Sequence, residues 1–197
     1  DTSADDRRSD NSTTVWISSS ASRIMTKPKK SGQRDPRHDK LVDAWLRLVV
    51  ASACAGPDDP PVQAILLGRD ACLQLAAPAQ DDAIAVLRHL LQAWCDGMAE
   101  PLPFVCKTAI AQVLQEREIE TYEGSDFGGG SGDVREPCLA RVYPDYDALT
   151  ADGRSLVYAE LLYGPLLAWA AYHATELPWA EAPALHDADD EEANGHD

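Results

Sequence analysis

The sequence has 197 residues, 45% of them hydrophobic, and a formal net charge of −16 at pH 7. This length and apolar content fit one domain with a packed core and short tails. The negative charge argues against nonspecific nucleic-acid binding over the whole surface, and no stretch reaches the roughly 18 apolar residues of a membrane helix.

Charge is spread unevenly and suggests where the folded part lies. Residues 1–13 begin with Asp1 and contain almost no apolar side chain, so they are interpreted as disordered or as a linker within a longer polypeptide. Residues 181–197 hold seven acids and no Lys or Arg, which indicates a solvated, disordered segment. The predicted organisation is one folded domain over 14–175, followed by an acidic tail over 176–197.

The first half of the domain alternates extended and helical patterns. Two short strands are predicted at 15–17 and 23–25, because β-branched and aromatic residues favour extended backbone. A polar loop with two prolines and a glycine follows at 27–36. A wide apolar arc predicts a helix over 37–55 that packs on a sheet, and a glycine followed by a proline ends it.

A hairpin and a second helix come next. Residues 62–68 and 72–76 are two apolar runs around a short turn, which is typical of a β-hairpin. Helical spacing predicts a helix over 81–99. Its apolar stripe consists of Ile84, Leu87, Leu91, Trp94 and Met98.

The second half of the domain is predicted to be helical. Helices are expected over 106–116, 136–143 and 152–174, and Gly164-Pro165 should kink or interrupt the last of them. The glycine-rich segment 124–132 lacks the lysine of a phosphate-binding loop and is interpreted as a flexible connection. Strands followed by helices indicate an α/β or α+β fold with helices added at its C-terminal end.

The cysteines do not form a recognisable framework. Their number is odd and no CxxC pair occurs, so neither a disulfide scaffold nor a zinc site is indicated. They are predicted to be small buried apolar residues in a reducing compartment. The five are Cys54, Cys72, Cys95, Cys106 and Cys138.

The sequence contains no recognisable motif of a catalytic site. No GxSxG elbow is present. A magnesium-dependent nuclease needs clustered carboxylates and a lysine, which many nucleases carry as Asp/Glu-x-Lys on one strand. None of the five lysines is preceded in this way, and the predicted strand before the first helix contains serines and no acid. The sequence therefore predicts no catalytic residue and no metal ligand.

Four stretches resemble the C-terminal domain of the RecC (gamma) subunit of exodeoxyribonuclease V, the bacterial RecBCD complex. Their order and spacing carry the resemblance, which runs from about residue 15 to about residue 171, and GMAEPLPF at 97–104 is the most specific segment. The stretches are RI at 23–24 with KLVDAWLRL at 40–48 and ACAG at 53–56; LLQAWCDGMAEPLPF at 90–104; KTA at 107–109 with YEG at 122–124; and LARVYPDY at 139–146 with LYGPL at 162–166.

The resemblance implies a degenerate restriction-endonuclease-like (PD-(D/E)xK-type) nuclease fold with additional C-terminal helices and without its N-terminal part. Residues 40–45 look like the Gln-x-x-x-Tyr-like helix of active relatives with the signature altered. The implied partners are the RecB and RecD subunits and DNA ends, in the bacterial cytoplasm and without a membrane. The implied function is a non-catalytic contribution to DNA-end binding and subunit assembly in double-strand break repair by recombination. No cofactor is expected in this chain, because ATP and Mg²⁺ would be used by other subunits.

One stretch is basic enough to attract DNA phosphates. Residues 23–40 contain seven Lys or Arg and only two acids, Asp35 and Asp39. Phosphate contacts position a protein on DNA without reading its sequence, as a subunit that handles any broken end requires. A solvated polar loop is the alternative. The candidate DNA-binding residues are Arg23, Lys27, Lys29, Lys30, Arg34, Arg37 and Lys40.

Other interpretations stay open at this point. The chain could be a hydrolase with dispersed catalytic residues, or a protein-interaction module without a nucleic-acid role. Asp145, Asp147 and Asp152 could recruit a metal, although a turn and a helix N-cap explain Asp152 better. Among the tryptophans, Trp16 could stack on bases and Trp179 could dock on a partner, whereas core packing is predicted for Trp45, Trp94 and Trp169.

Overall fold

The computed structural model describes residues 13–125 and 131–178, which fold into a mixed α/β domain. Residues 1–12 of the predicted linker over 1–13, the centre of the glycine-rich segment and the tail from 179 onward, with Trp179, lie outside the described residues. The elements, in chain order, are β1 Thr14–Ser19, α1 His38–Cys54, β2 Val62–Leu67, β3 Cys72–Ala76, α2 Gln80–Ala99, α3 Cys106–Leu114, α4 Glu118–Glu123, a 3-10 helix Asp133–Arg135, α5 Pro137–Val142, α6 Tyr146–Thr150, α7 Arg154–His173 and β4 Ala174–Leu177.

The sheet has four strands in the order β1-β2-β3-β4. β1 and β2 are parallel, so the chain must cross over between them, and α1 makes that crossover. β2 and β3 form the predicted hairpin, and β4 pairs with β3 in antiparallel register, with Leu177 opposite Cys72. β1 is one of the two edge strands, and Val15, Trp16 and Ile17 on it are between 40% and 51% exposed.

The core lies between one face of this sheet and the helices. Alternate residues of β2 and β3 point to the same face because side chains alternate along a strand. The core includes Ala64, Leu66, Leu73 and Leu75 of the sheet face, Leu41, Ala44, Trp45, Leu48 and Val49 of α1, and Leu166, Trp169 and Ala170 of α7. The broad apolar arc predicted for the first helix is therefore confirmed as a surface packed on the sheet.

The observed bounds of the long elements agree with those predicted from the sequence, whereas those of the short elements agree less well. The helices α1, α2, α3, α5 and α7 begin and end within a few residues of their predicted bounds, whereas α4, α6 and β4 were not predicted. β4 runs to Leu177 and so extends past the predicted domain boundary at 175. α7 continues through Gly164 and Pro165 without interruption, although Pro165 has no N–H to donate to the preceding turn.

The predicted strand over 23–25 is wrong. Met25 forms a single antiparallel bridge with Pro36, and Ile24 turns into the core, where it is 0% exposed. The backbone N–H of Ile24 bonds to a side chain, Asp70 Oδ1, at 2.8 Å, and its carbonyl accepts from Arg37 N at 2.8 Å. A β-branched side chain favours extended backbone at this place. Because that side chain is buried and the backbone bonds to other segments of the chain, no strand pairing forms here.

The cysteine prediction is also largely wrong. Cys72 is buried and Cys106 is half-buried, but Cys54, Cys95 and Cys138 are exposed, and all five are free thiols. Burial raises the pKa of the Cys106 thiol and of the Cys72 thiol, so both stay protonated at neutral pH. Among the described residues, no helix is both long and apolar enough to cross a membrane.

Candidate nucleic-acid interface

The basic stretch forms an ordered hairpin-like loop between β1 and α1. The two arms of this basic loop, residues 25–36, are joined by Thr26 N donating to Asp35 O at 2.8 Å and Lys29 N donating to Gln33 O at 2.8 Å. At its tip, Gly32 has φ +82 and its N–H donates to Lys29 O at 2.8 Å. Glycine suits this left-handed position of a hairpin turn because it has no Cβ. Five of the seven candidate residues lie on or beside this loop, Arg37 is the N-cap of α1, and Lys40 lies in α1.

Four of the seven predicted cations have an acidic partner. Lys29 Nζ lies 2.5 Å from Asp35 Oδ2, and this ion pair raises the pKa of Lys29. Asp39 Oδ2 contacts both Arg37, at 3.3 Å, and Lys40, at 3.4 Å. The fourth, Arg34, is paired with Glu176 of β4.

The remaining three cations lie on the loop or just before it. Arg23, Lys27 and Lys30 are exposed, and none of them forms an ion pair with any residue in the described part of the chain. The structure therefore divides the predicted set. It leaves Arg23, Lys27 and Lys30 as candidate phosphate contacts, whereas Lys29, Arg34, Arg37 and Lys40 are each paired with an acid.

The base of the basic loop is fixed to the turn between β2 and β3. Asp70 Oδ1 accepts from Ile24 N, and the carbonyl of Asp70 accepts from Arg34 Nη1 at 3.3 Å. A Cβ built on Gly68 would lie 2.4 Å from Cγ1 of Ile24, so the loop and the turn are in close contact. Together with the pair between Arg34 and Glu176, these contacts hold the loop against the end of the sheet.

A cleft of about 760 Å³ lies beside the loop, between it and the helices α1, α3 and α7. Its walls carry cations and anions in similar number, so it is not a strongly basic pocket. His38 lies half-buried here, and burial lowers its pKa, against the effect of Asp35, Asp39 and Glu116. The charged or ionisable residues of the cleft are Lys29, Arg34, Arg37, Lys107, Asp35, Asp39, Glu116 and His38.

No metal centre is assembled in the described residues. They contain no group of three or more His, Cys, Asp or Glu side chains placed to hold an ion. Asp145 instead caps α6, where its Oδ1 accepts from Ala148 N at 2.7 Å. Asp152 accepts from Arg154 N at 2.9 Å in the turn before α7, and Arg154 lowers the pKa of that carboxyl. The predicted turn at Asp152 is confirmed, but the N-cap of α7 is Gly153.

The exposed face of α2 is apolar, which the sequence did not lead us to expect. Trp45 and Trp169 are in the core as predicted, at 2% and 6% exposed, but Trp94 is 66% exposed. Leu91 and Met98 lie on the same face at helical spacing and are 57% and 75% exposed. We call these three residues the α2 stripe. α2 buries Ala83 and Ala93, and Val86 and Leu87 pack partly against the core, whereas the α2 stripe lies in solvent.

Sequence reasoning missed the residues that position the loop. Asp70 was recognised as a turn residue and Glu176 was placed in the acidic tail, yet both bond to the loop. Both partners are distant in sequence, 46 and 142 residues away, so no local pattern signalled either contact.

Comparison with known families completes this picture. A family model described as the RecC C-terminal domain matches residues 7–117. The chain belongs to the RecC C-terminal domain family. The matched region contains β1, α1, the hairpin, α2, α3 and the whole basic loop. A comparison with curated proteins found no match.

Family membership implies a role in the RecBCD complex, and hence in DNA repair and recombination. It confirms the resemblance in its first half, including the segment at 97–104. The two later stretches, at 122–124 and beyond 139, lie outside the matched region and their likeness to RecC remains a prediction.

Proposed function

We propose that this domain is a non-catalytic, restriction-endonuclease-like part of the gamma subunit of RecBCD that helps to bind DNA ends and to assemble the subunits. The observation that carries the DNA role is the anchored basic loop, three of whose cations have no acidic partner among the described residues. The exposed α2 stripe carries the assembly role. Both features lie in the region matched by the family model.

The basic loop suits phosphate contact for two physical reasons. Arg23, Lys27 and Lys30 have no carboxylate partner among the described residues, so a phosphate need not displace one. The backbone that carries Lys27 and Lys30 is held by hydrogen bonds across the loop and at its base, so little further ordering is required on binding. Such contacts are independent of base sequence, as recognition of any broken end requires.

The non-catalytic part of the proposal rests on the residues of β1. This strand precedes α1, as the catalytic strand precedes its helix in the nuclease fold, but it reads TVWISS and carries no carboxylate. No described cluster of acids replaces it. The described residues do not fit a bound Mg²⁺, so the proposal leaves ATP and Mg²⁺ chemistry to other subunits, with RecB and RecD as the partners.

The test of DNA binding uses the assembled complex with two pairs of substitutions. Lys27→Gln with Lys30→Gln should weaken binding to a blunt DNA end and reduce the slope of log K against log salt by about 0.9 for each lost phosphate contact. Arg135→Gln with Arg141→Gln is the matched control, because these exposed arginines also lack an ion pair in the described structure and belong to other elements, the 3-10 helix and α5. An equal change in both variants, or an unchanged slope in the first, would contradict the proposal.

The α2 stripe supports assembly because exposed apolar residues in contact with each other mark protein interaction sites. Its occupant in this proposal is another subunit of RecBCD. Leu91→Ser with Trp94→Ser should reduce co-purification of RecB or RecD with this subunit. Leu156→Ser with Val157→Ser is the control, since these residues of α7 are 45% and 61% exposed.

Two results would overturn the assembly role. One is normal recovery of RecB and RecD with the substituted stripe. The other is a concentration-dependent dimer of the wild-type subunit that the stripe substitutions abolish, because the stripe would then join two copies of this chain.

A further inference from the structure

We propose that the free edge of β1 pairs with an extended segment of another subunit of the complex, which adds a fifth strand to the four-stranded sheet. This inference rests on the proposed assembly role and deepens it, because it adds a second contact surface to the α2 stripe. The surface is the outer edge of β1, Thr14–Ser19, and the occupant is a strand of a partner polypeptide.

The backbone of β1 offers hydrogen-bonding groups on the side away from β2. Thr14 N donates to Pro61 O at 3.0 Å, so the even-numbered residues of the strand bond to β2 in this parallel register. Successive residues of a strand direct their N–H and C=O groups to opposite sides, so those of Val15, Ile17 and Ser19 point outward. No strand in the described part of the chain pairs with this side of β1. An extended peptide backbone is the ligand that such a row of groups binds.

The edge at β1 lacks the features that usually protect a free strand from pairing. Protected edges are short, charged, or interrupted by proline or a bulge. β1 pairs with β2 over six residues in continuous register, and residues 13–22 contain no proline and no charged side chain, although 25% of the chain is charged. The other edge strand, β4, has four residues and carries Glu176, which is paired with Arg34. The edge at β1 is therefore the one suited to a further strand.

The side chains beside this edge indicate an apolar occupant. Val15 and Ile17 are 42% and 51% exposed on one face of the sheet, and Trp16 is 40% exposed on the other. A neighbouring strand would cover part of all three side chains, which is favourable for apolar surface. A charge on that strand would lose hydration without gaining a partner. The occupant is therefore an uncharged stretch about as long as β1, with apolar side chains on both faces.

Charges at the two ends of β1 define the flanks of the occupant. Arg23 and Arg69 lie beyond its C-terminal end, where Arg69 N donates to Ser22 O at 3.0 Å. Asp58 lies at the N-terminal end, in the loop that leads into β2. All three are exposed, and none forms an ion pair with another described residue. The matching strand therefore carries an acid at the end beside the two arginines and a base at the other end.

A second copy of this chain is a less suitable occupant than another subunit. Each copy carries a net charge of −16, so two copies repel each other. A single pair of short strands is also small beside the roughly 1,200 Å² that a stable interface buries. A different subunit that is bound at other surfaces as well, such as the α2 stripe, does not depend on the strand pair alone.

Site-specific photo-crosslinking in the assembled complex tests which polypeptide lies beside β1. With p-benzoylphenylalanine in place of Ile17, mass spectrometry should find a peptide of another subunit joined to this site. The matched control has the same photoreactive residue in place of Thr175, which is exposed on the protected edge strand β4 and should give no such product. A product with a second copy or with another part of the same subunit, or no product at all, would overturn the inference.

Proline substitutions distinguish the outer edge of β1 from its pairing with β2. Ile17→Pro removes an outward N–H and should reduce recovery of the other subunits several-fold, with little change in the urea midpoint of the full-length subunit. Ser18→Pro removes an N–H that bonds to β2 and should lower that midpoint instead. Val15→Lys with Ile17→Lys is a second edge variant, because charge on an edge opposes strand addition and leaves the backbone unchanged. Normal recovery with both edge variants would contradict the inference.

The same recovery assay separates this inference from the proposed function. If Leu91→Ser with Trp94→Ser leaves recovery normal while the edge variants lower it, the proposed role of the α2 stripe fails and the inference stands. If the stripe variant lowers recovery and the edge variants do not, only the inference fails. If neither change has an effect, both fail.

Discussion

The carboxylate of Asp70 accepts a hydrogen bond from the backbone N–H of Ile24 at 2.8 Å, across 46 residues of sequence. It joins the buried start of the basic loop to the turn between β2 and β3. The side chain of Ile24 is fully buried at the same point, so one residue is held by both a polar and an apolar contact. The position of the candidate DNA-binding cations depends on this junction.

Removal of the Asp70 acceptor should destabilise the domain and loosen the loop. Asp70→Ala leaves the Ile24 N–H without its partner, which we expect to reduce the free energy of unfolding by about 1–3 kcal/mol. Asp70→Asn keeps an oxygen acceptor and should lose less. Urea unfolding of the three proteins checks the order, and equal stability of the alanine and asparagine variants would show that the hydrogen bond contributes little.

Gly68 should tolerate no larger residue while Ile24 is present. Gly68→Ala places a methyl group 2.4 Å from Cγ1 and 2.7 Å from Cγ2 of Ile24, so we expect a loss of about 1–3 kcal/mol from overpacking. Ile24→Ala alone should also destabilise, through a cavity. The double variant should be more stable than the sum of the two losses predicts, because the methyl fills part of the cavity. Strictly additive losses in urea unfolding would contradict this contact.

Trp94 and Trp45 should differ sharply in their effect on stability. Trp94→Ser alters a side chain that is 66% exposed, so the free energy of unfolding should change by no more than about 0.5 kcal/mol. Trp45→Ala removes a core side chain that is 2% exposed and should cost about 3–5 kcal/mol. Thermal or urea unfolding measures both, and a large loss in the Trp94 variant would mean that this face of α2 is covered within the chain itself.

A buried polar pair between α3 and α7 should show strong coupling. Gln112 Nε2 donates to Ser155 Oγ at 2.9 Å, and Ser155 Oγ donates to Gln112 Oε1 at 3.0 Å. Ser155→Ala leaves the amide without its main partner and should cost about 1–3 kcal/mol, whereas Gln112→Leu with Ser155→Ala should recover part of that loss. A double variant less stable than either single variant would show that the pair contributes through packing.

The stability of the domain should fall in mild acid because of His38. Burial lowers its folded-state pKa below 6.5, so the unfolded chain binds a proton first as the pH falls. The stabilising contribution of the neutral imidazole is thus complete above pH 6.5 and is lost as the pH falls through the folded-state pKa. His38→Gln should lose less stability than wild type between about pH 7.5 and about pH 5.5. If the urea midpoints of wild type and of the His38→Gln variant fall equally as the pH is lowered, the acid sensitivity comes from other groups.

The sequence by itself determined the long elements and the missing catalytic motif. Helical periodicity over 81–99 predicted α2, because a pattern of that length depends only on which residues are apolar. The absence of Asp/Glu-x-Lys and of any acid in β1 is also a property of sequence alone. The resemblance carried by segments such as GMAEPLPF pointed to the family before any geometry was known.

Tertiary structure decided which side chains are available. Seven cations looked equivalent in the sequence, but pairing with Asp35, Asp39 and Glu176 set four of them apart. Trp94 shares an apolar stripe with Leu87, which packs partly against the core, yet Trp94 itself is 66% exposed. Both outcomes depend on contacts between segments far apart in the chain, and local pattern carries no information about those contacts.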